Sequence, residues 1–151
     1  FLAHKASKQG IIAAENICGK KKIFDATVVP TAIFTDPEIA IVGYTKDEAE
    51  KRGYKIKAMR FPYSSLGRAI AEEETEGFIR IISDEATGIV LGIQIIGSKA
   101  TEIIGEAALA VKNKLTVEEI ADTIHPHPTY SELYSEVSEA AIFKPIHMLV
   151  K

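Results

Sequence analysis

Two isoleucine-rich runs, Phe78 to Ser83 and Ile89 to Ile96, separated by Asp84-Glu85-Ala86-Thr87-Gly88, constrain the fold of this chain more than any other stretch. β-branched runs of that length, joined by turn-forming residues, predict an antiparallel hairpin. Further strands precede it. Thr31 to Thr35 and Ile39 to Gly43 are short, apolar and β-branched, and Asp36-Pro37 between them reads as a turn. Lys55, Lys57 and Met59 alternate with Ile56, Ala58 and, less cleanly, Arg60, the period of a half-buried strand. The acidic tract Glu72-Glu73-Glu74 with Glu76 reads as a solvated connection into the hairpin.

From Thr101 the rhythm turns helical, with Ile104, Ala108, Val111 and Leu115 on one face. Thr45-Lys46-Asp47-Glu48 and Thr116-Val117-Glu118-Glu119 have the spacing of capping boxes, in which the hydroxyl and the carboxylate each satisfy one free amide at a helix start. The first opens a short helix that Gly53 ends; the second opens a helix carrying Ile120. Ala3 to Cys18 is also helical and stops at Gly19, where the Lys20-Lys21-Lys22 run would face the negative end of the helix dipole. Strands first and helices later predict an α+β fold, an antiparallel β-sheet with helices packed on one face.

At 151 residues the chain is about one domain long, able to bury roughly two-thirds of its unfolded surface. Hydrophobic content of 46% with 26% charged residues is globular. A net charge of -3 gives no electrostatic reason to bind nucleic acid. The longest apolar run, Gly88 to Gly97, is too short to cross a membrane and contains Gln94. Cys18 is the only cysteine, so no intrachain dithiol exists, and its place near a helix end suggests a small packing residue. The histidines show no metal-ligand spacing with cysteines or carboxylates, so no metal is expected.

Chemistry concentrates in His125-Pro126-His127-Pro128-Thr129-Tyr130-Ser131-Glu132. Thr129 and Glu132 stand in a third capping-box relation, ahead of a helix through Leu133, Val137 and Ala141. Proline fixes its own φ and restricts the residue before it, so both histidines sit on stiff, extended backbone, and a His-Pro bond can be cis. A rigid imidazole beside a carboxylate is the pair a general base needs, because the carboxylate fixes the tautomer and favours the imidazolium formed on proton uptake. The plainer alternative has Glu132 completing the cap while the histidines fill a turn.

The His-x-His-Pro-Thr-x-Ser-Glu string resembles the C-terminal signature of dihydrolipoamide dehydrogenases, in the pyridine nucleotide-disulfide oxidoreductase family. Two further segments are similar to that family. Leu2-Ala3-His4-Lys5-Ala6 with Gly10 to Asn16 resembles the helix after its last flavin-contacting Gly-Asp turn, with Phe1 where relatives commonly carry methionine. Pro30-Thr31-Ala32-Ile33-Phe34-Thr35-Asp36-Pro37-Glu38 with Val42-Gly43 resembles the start of its interface domain. The double-histidine form points to the lipoamide branch. A glutathione-type reductase would not be expected to show it, and a mercuric reductase would carry a tail cysteine pair.

The resemblance implies two parts: residues 1–24 as the end of an FAD-binding domain and residues 25–151 as an interface, or dimerisation, domain. It assigns His127 as the acid-base catalyst, Glu132 as the residue that orients it, and Phe1, Leu2, Ala3, His4, His127 and Pro128 as cofactor-binding. His125 becomes a neighbour that shapes the site, while His147 has nothing to pair with. FAD and NAD would be the cofactors. A homodimer would bring the histidine to the disulfide and flavin of the other subunit, and the peripheral subunit-binding domain of a lipoyl acyltransferase would dock near the dimer axis. Glu136 and Glu139 are solvated helix charges that could meet such a partner, and Tyr134, Ile142 and Phe143 are either dimer contacts or core. The compartment would be the cytoplasm, or the mitochondrial matrix in a eukaryote. No dinucleotide-binding glycine fingerprint and no cysteine pair are present. The chain therefore reads as the C-terminal piece of a longer enzyme, lacking its FAD and NAD domains, and is not expected to turn over alone. The competing reading is a non-catalytic homodimerisation module.

Overall fold

A computed structural model describes residues 2–148. Helix α1 spans Ala3–Ile17, followed by strands β1 (Thr31–Ile33) and β2 (Ile39–Gly43), helix α2 (Lys46–Lys51) and strand β3 (Ile56–Pro62). A 3-10 turn over Tyr63–Ser65 leads into α3 (Gly67–Ala71), then β4 (Gly77–Asp84), β5 (Val90–Gly97), α4 (Ala100–Asn113), α5 (Val117–Ala121) and α6 (Glu132–Ala141). The strands form one antiparallel sheet in the order β1-β2-β5-β4-β3, so the expected hairpin, β4 and β5, lies at its centre.

Alternation along the strands decides the two faces. Ile79 and Ile81 of β4 pair with Ile95 and Ile93 of β5, and all four are buried together with Ala40 and Val42 of β2. Helices α4 and α6 cover this face, adding Ile104, Ala107, Leu133, Tyr134 and Val137 to the core. The α+β architecture is as expected, with one addition. The short helix α2 packs Ala49 against Ile82 and Leu91 on the opposite face. Burying two aliphatic side chains that the main helices leave uncovered explains its position.

Two faces differ from expectation. In β3 the inward residues are Met59 and Phe61, whereas Ala58 and Arg60 are exposed. Arg60 instead stacks its guanidinium 3.7 Å from the centre of the Phe78 ring on the outer face. In α4 the buried stripe is Ala100, Ile104, Ala107 and Ala110, while Ala108, Val111 and Leu115 are only partly buried. Three alanines carry a weak apolar signal, yet they let the helix sit close above a sheet surface crowded with isoleucines.

Both capping boxes form, at Thr45 with Glu48 and at Thr116 with Glu119. Helix α1 ends as expected at Cys18, with Gly19 at φ +89°. Lys20 and Lys22, however, bind the Glu15 carboxylate at 3.0 and 2.8 Å instead of lying free beside the helix carbonyls. Cys18 is exposed and so is not a packing residue within the described chain. At Gly97, φ is +145° and a Cβ would lie 2.5 Å from the Tyr63 ring, which makes glycine obligatory there. Tyr63 thus reaches past the strand end to donate to the Ser98 carbonyl at 3.0 Å.

Candidate functional site

The motif runs from the end of α5 into α6, and the His127-Pro128 bond is cis. His127 Nδ1 lies 2.8 Å from Glu132 Oε1. The second oxygen, Oε2, accepts the Thr129 N–H at 2.8 Å, so one carboxylate holds both the ring and the backbone behind it. A carboxylate can only accept, so Nδ1 carries the proton and Nε2 is left with the basic lone pair. Nε2 has no hydrogen-bond partner among the described residues, and the His127 side chain is 72% exposed against 18% for Glu132. Glu132 is the first residue of α6, so the start of that helix fixes where its carboxylate stands.

The expected capping box is only half made. Thr129 Oγ1 donates to the Pro126 carbonyl at 2.7 Å instead of accepting from α6, and Ser131 is the N-cap, with no side-chain hydrogen bond. Glu132 reaches back to Thr129 in the manner of a box while its other oxygen serves His127. One carboxylate thus serves the backbone with one oxygen and the imidazole with the other.

Neighbours that sequence reasoning missed surround His127. Gly67 opens α3 beside the imidazole, where an added Cβ would sit 3.5 Å from His127 Cε1. Glu72, expected to be solvated, accepts from the Tyr130 hydroxyl at 2.8 Å and pairs with Arg68. Those contacts, the Tyr130 hydroxyl foremost, hold its carboxyl below the usual carboxylate range. Two residues before His127, His125 is almost fully buried: its side chain is 5% exposed, Nε2 lies 2.8 Å from Glu106 Oε1 of α4, and Nδ1 lies 2.9 Å from the Thr123 carbonyl oxygen. Its ring lies near-parallel to Tyr134 at 6.4 Å, and the Tyr134 hydroxyl donates to the Ile103 carbonyl at 2.6 Å. Nothing in the sequence links Glu106 to His125, because their separation matches no local motif.

The residues expected at the flavin gather at the start of α1. Phe1 lies outside the described residues. Leu2 is the extended N-cap of α1, and no side chain caps that helix. The first amides of α1, at Ala3 and His4, thus have no intrahelical acceptor. His4 donates its Nε2–H to the Pro30 carbonyl at 2.7 Å. No residue of α1 is buried, and a groove of about 490 Å³ runs between α1, the segment Ile23 to Pro30 and α4.

Two expectations in the C-terminal helix and tail are corrected, and one is divided between its alternatives. His147 is paired after all: Nδ1 lies 2.5 Å from Glu136 Oε1, because the tail folds back along α6. Glu136 is consequently 12% exposed rather than solvated, and burial, followed by the Glu136 charge, raises the Glu139 carboxyl. Tyr134 is core, Ile142 packs against the core, and Phe143 is 69% exposed with Lys57 Nζ 3.7 Å from its ring centre. No three His, Cys, Asp or Glu residues gather into a metal-binding group among the described residues, and no described helix is long and apolar enough to cross a membrane.

Residues 29–138 match the dimerisation domain of the pyridine nucleotide-disulphide oxidoreductases. The chain is 45% identical over 149 residues to the dihydrolipoyl dehydrogenase of Haloferax volcanii, covering 99% of this chain and 31% of that protein. It is also 45% identical over 148 residues to the Bacillus subtilis dihydrolipoyl dehydrogenase, covering 98% of this chain and 32% of the relative. Among solved structures, LpdA from Mycobacterium tuberculosis superposes with a TM-score of 0.86 at 31% identity, over 92% of this chain and 30% of that one. The HOCl-induced flavoprotein disulfide reductase RclA from Escherichia coli superposes with a TM-score of 0.77 at 25% identity, over 85% and 30%.

Proposed function

Because the chain belongs to the pyridine nucleotide-disulphide oxidoreductases, as their dimerisation domain, we propose that it supplies the acid-base half of a dihydrolipoyl dehydrogenase active site. The observation that carries this reading is the 2.8 Å contact between His127 Nδ1 and Glu132 Oε1, with Nε2 left open on an exposed ring. Nε2 takes a proton from a dihydrolipoyl thiol, because the thiolate rather than the thiol carries out exchange with a disulfide. Glu132 stabilises the imidazolium that results and, through its Thr129 contact, keeps the ring where it is. The chain spans about a third of the length of its curated relatives, 31% and 32%, so the disulfide and the flavin belong to other parts of such an enzyme.

Leu2, Ala3 and His4 fit a flavin in one respect: the uncapped amides at the start of α1 are donors suited to an electronegative ring edge. His127 and Pro128 would face the cofactor from the other subunit. Those amides and His127 would help to hold FAD, which would supply a two-electron relay between the exchanged disulfide and NAD. The lack of buried residues in α1 supports assigning residues 1–24 to a flavin-binding part and 25–151 to the interface part. A homodimer follows from the same reading, supported by the exposed side chains of Leu109 and Ile124 at 60% and 95%. The peripheral subunit-binding domain of a lipoyl acyltransferase is the docking partner that this activity entails, and the cytoplasm its compartment.

The test is a chimaera in which this chain replaces the matching segment of the Bacillus subtilis relative. Dihydrolipoamide-dependent reduction of NAD is expected, and His127→Gln should lower it by roughly 10²- to 10⁴-fold. A folded chimaera whose turnover is indifferent to His127→Gln would contradict the assignment.

A further inference from the structure

His125 is the one histidine among the described residues with both ring nitrogens hydrogen-bonded. Both partners are oxygens that can only accept, a backbone carbonyl at 2.9 Å and a carboxylate at 2.8 Å. A neutral imidazole has a single N–H and can satisfy one of them; satisfying both takes two N–H groups. A side chain only 5% exposed has little recourse to water for the missing bond. We propose that His125 is held as an imidazolium by Glu106 and Thr123, and that this charged clamp fixes the backbone on which His127 is presented.

The role is positioning, since both ring nitrogens of His125 are engaged and its side chain is covered. The segment from Thr123 to Thr129 has two anchors: His125 ties it to Glu106 on α4, and Glu132 ties Thr129 to the start of α6. Pro126 and Pro128 join the anchors with little slack, because each fixes φ. Tyr134 of α6 lies against the other side of the His125 ring and is itself held through the Ile103 carbonyl of α4. The charged groups facing the clamp are Glu106 from α4 and Glu132 from α6, with His127 on the same segment; both carboxylates favour the protonated ring, Glu106 most. His125 accordingly keeps its proton above its ordinary value of 6.5. Raising the pH removes one of the two N–H groups and releases either the α4 contact or the carbonyl contact.

This proposal rests on the functional reading only for what His127 does, so its test is read without turnover. Two-bond nitrogen-proton spectra of the histidine rings in this chain are recorded from about pH 5 to about pH 9. Expected are two protonated nitrogens on His125 at pH values where an ordinary histidine is neutral, and a second inflection of the Thr129 amide signal at the His125 midpoint. Glu106→Gln should move that midpoint down and take the Thr129 inflection with it, while the Ile79 and Ile93 methyl signals report an intact core. A single neutral tautomer of His125 below its ordinary midpoint, or a Thr129 signal that ignores the His125 transition, overturns the proposal. Should the variant not fold, the wild-type titration decides alone. A chimaera that fails to turn over while these signals behave as expected counts against the functional reading and leaves the clamp standing.

Discussion

His125 and His127 stand two residues apart in one proline-stiffened segment, each 2.8 Å from a glutamate, yet the first side chain is 5% exposed and the second 72%. The difference lies in where the glutamate comes from. Glu132 is five residues ahead on the same stretch of chain and leaves the outer face of its histidine open. Glu106 reaches from α4, nineteen residues earlier, and the fold closes over the histidine while the Glu106 side chain stays 39% exposed. One imidazole is held so that a nitrogen remains free to exchange a proton. The other has no free nitrogen and serves the architecture. On the proposed reading, the exposed ring borrows its rigidity from the covered one.

The largest expected break of this comparison is functional. His127→Gln in the chimaera should cost roughly 10²- to 10⁴-fold in turnover, and because the side chain is 72% exposed its melting temperature should stay near that of the parent. The anchored side should respond oppositely. Tyr134→Phe removes the hydroxyl bound to the Ile103 carbonyl at 2.6 Å and should lower stability by about 0.5–1.5 kcal/mol in urea titrations, with turnover falling far less than for His127→Gln.

Acidity sharpens the same contrast. His125 and His147 have raised values, through Glu106 and Glu136 respectively, so their contribution is full below 6.5 and is lost as pH rises through the raised folded values. Glu48, Glu72 and Glu119 are lowered, mainly by the Thr45 amide, the Tyr130 hydroxyl and the Thr116 amide, so theirs is present above 4.5 and is lost as pH falls. Stability measured against pH should therefore peak between 4.5 and 6.5, with the alkaline decline flattened by Glu106→Gln. The smallest expected effect is Cys18→Ser, at an exposed position without described partners, which should stay within about 0.5 kcal/mol of the parent.

The parts that were legible in sequence are those whose physics is local. The hairpin, two capping boxes, the Gly19 and Gly53 helix ends and the His127–Glu132 pair each depend on residues within a few positions of one another. Thr129 shows the limit of that reading, since correct spacing for a box does not decide which acceptor the hydroxyl chooses. On α4 the expected residues do pack against the core, but its fully buried alanines escape notice, because alanine weighs little on any hydrophobic scale while counting fully where a helix must lie close to a sheet. The His125–Glu106 and His147–Glu136 pairs were illegible for a different reason. Each needs two elements to be brought together first, and no periodicity encodes which surface charges will then face each other.

The most direct test of the central claim, that this chain lends its base to a second subunit, is active-site complementation in a mixed dimer. One chimaera carries His127→Gln and the other lacks the redox-active cysteines of the Bacillus subtilis part, so each homodimer is inactive. If the base works across the twofold axis, the mixed dimer regains one complete site and about half the parent activity per dimer, as a closed and symmetric interface requires. Were the base to serve its own subunit, each subunit of the mixed dimer would still lack one component, and turnover would stay at the level of the inactive homodimers.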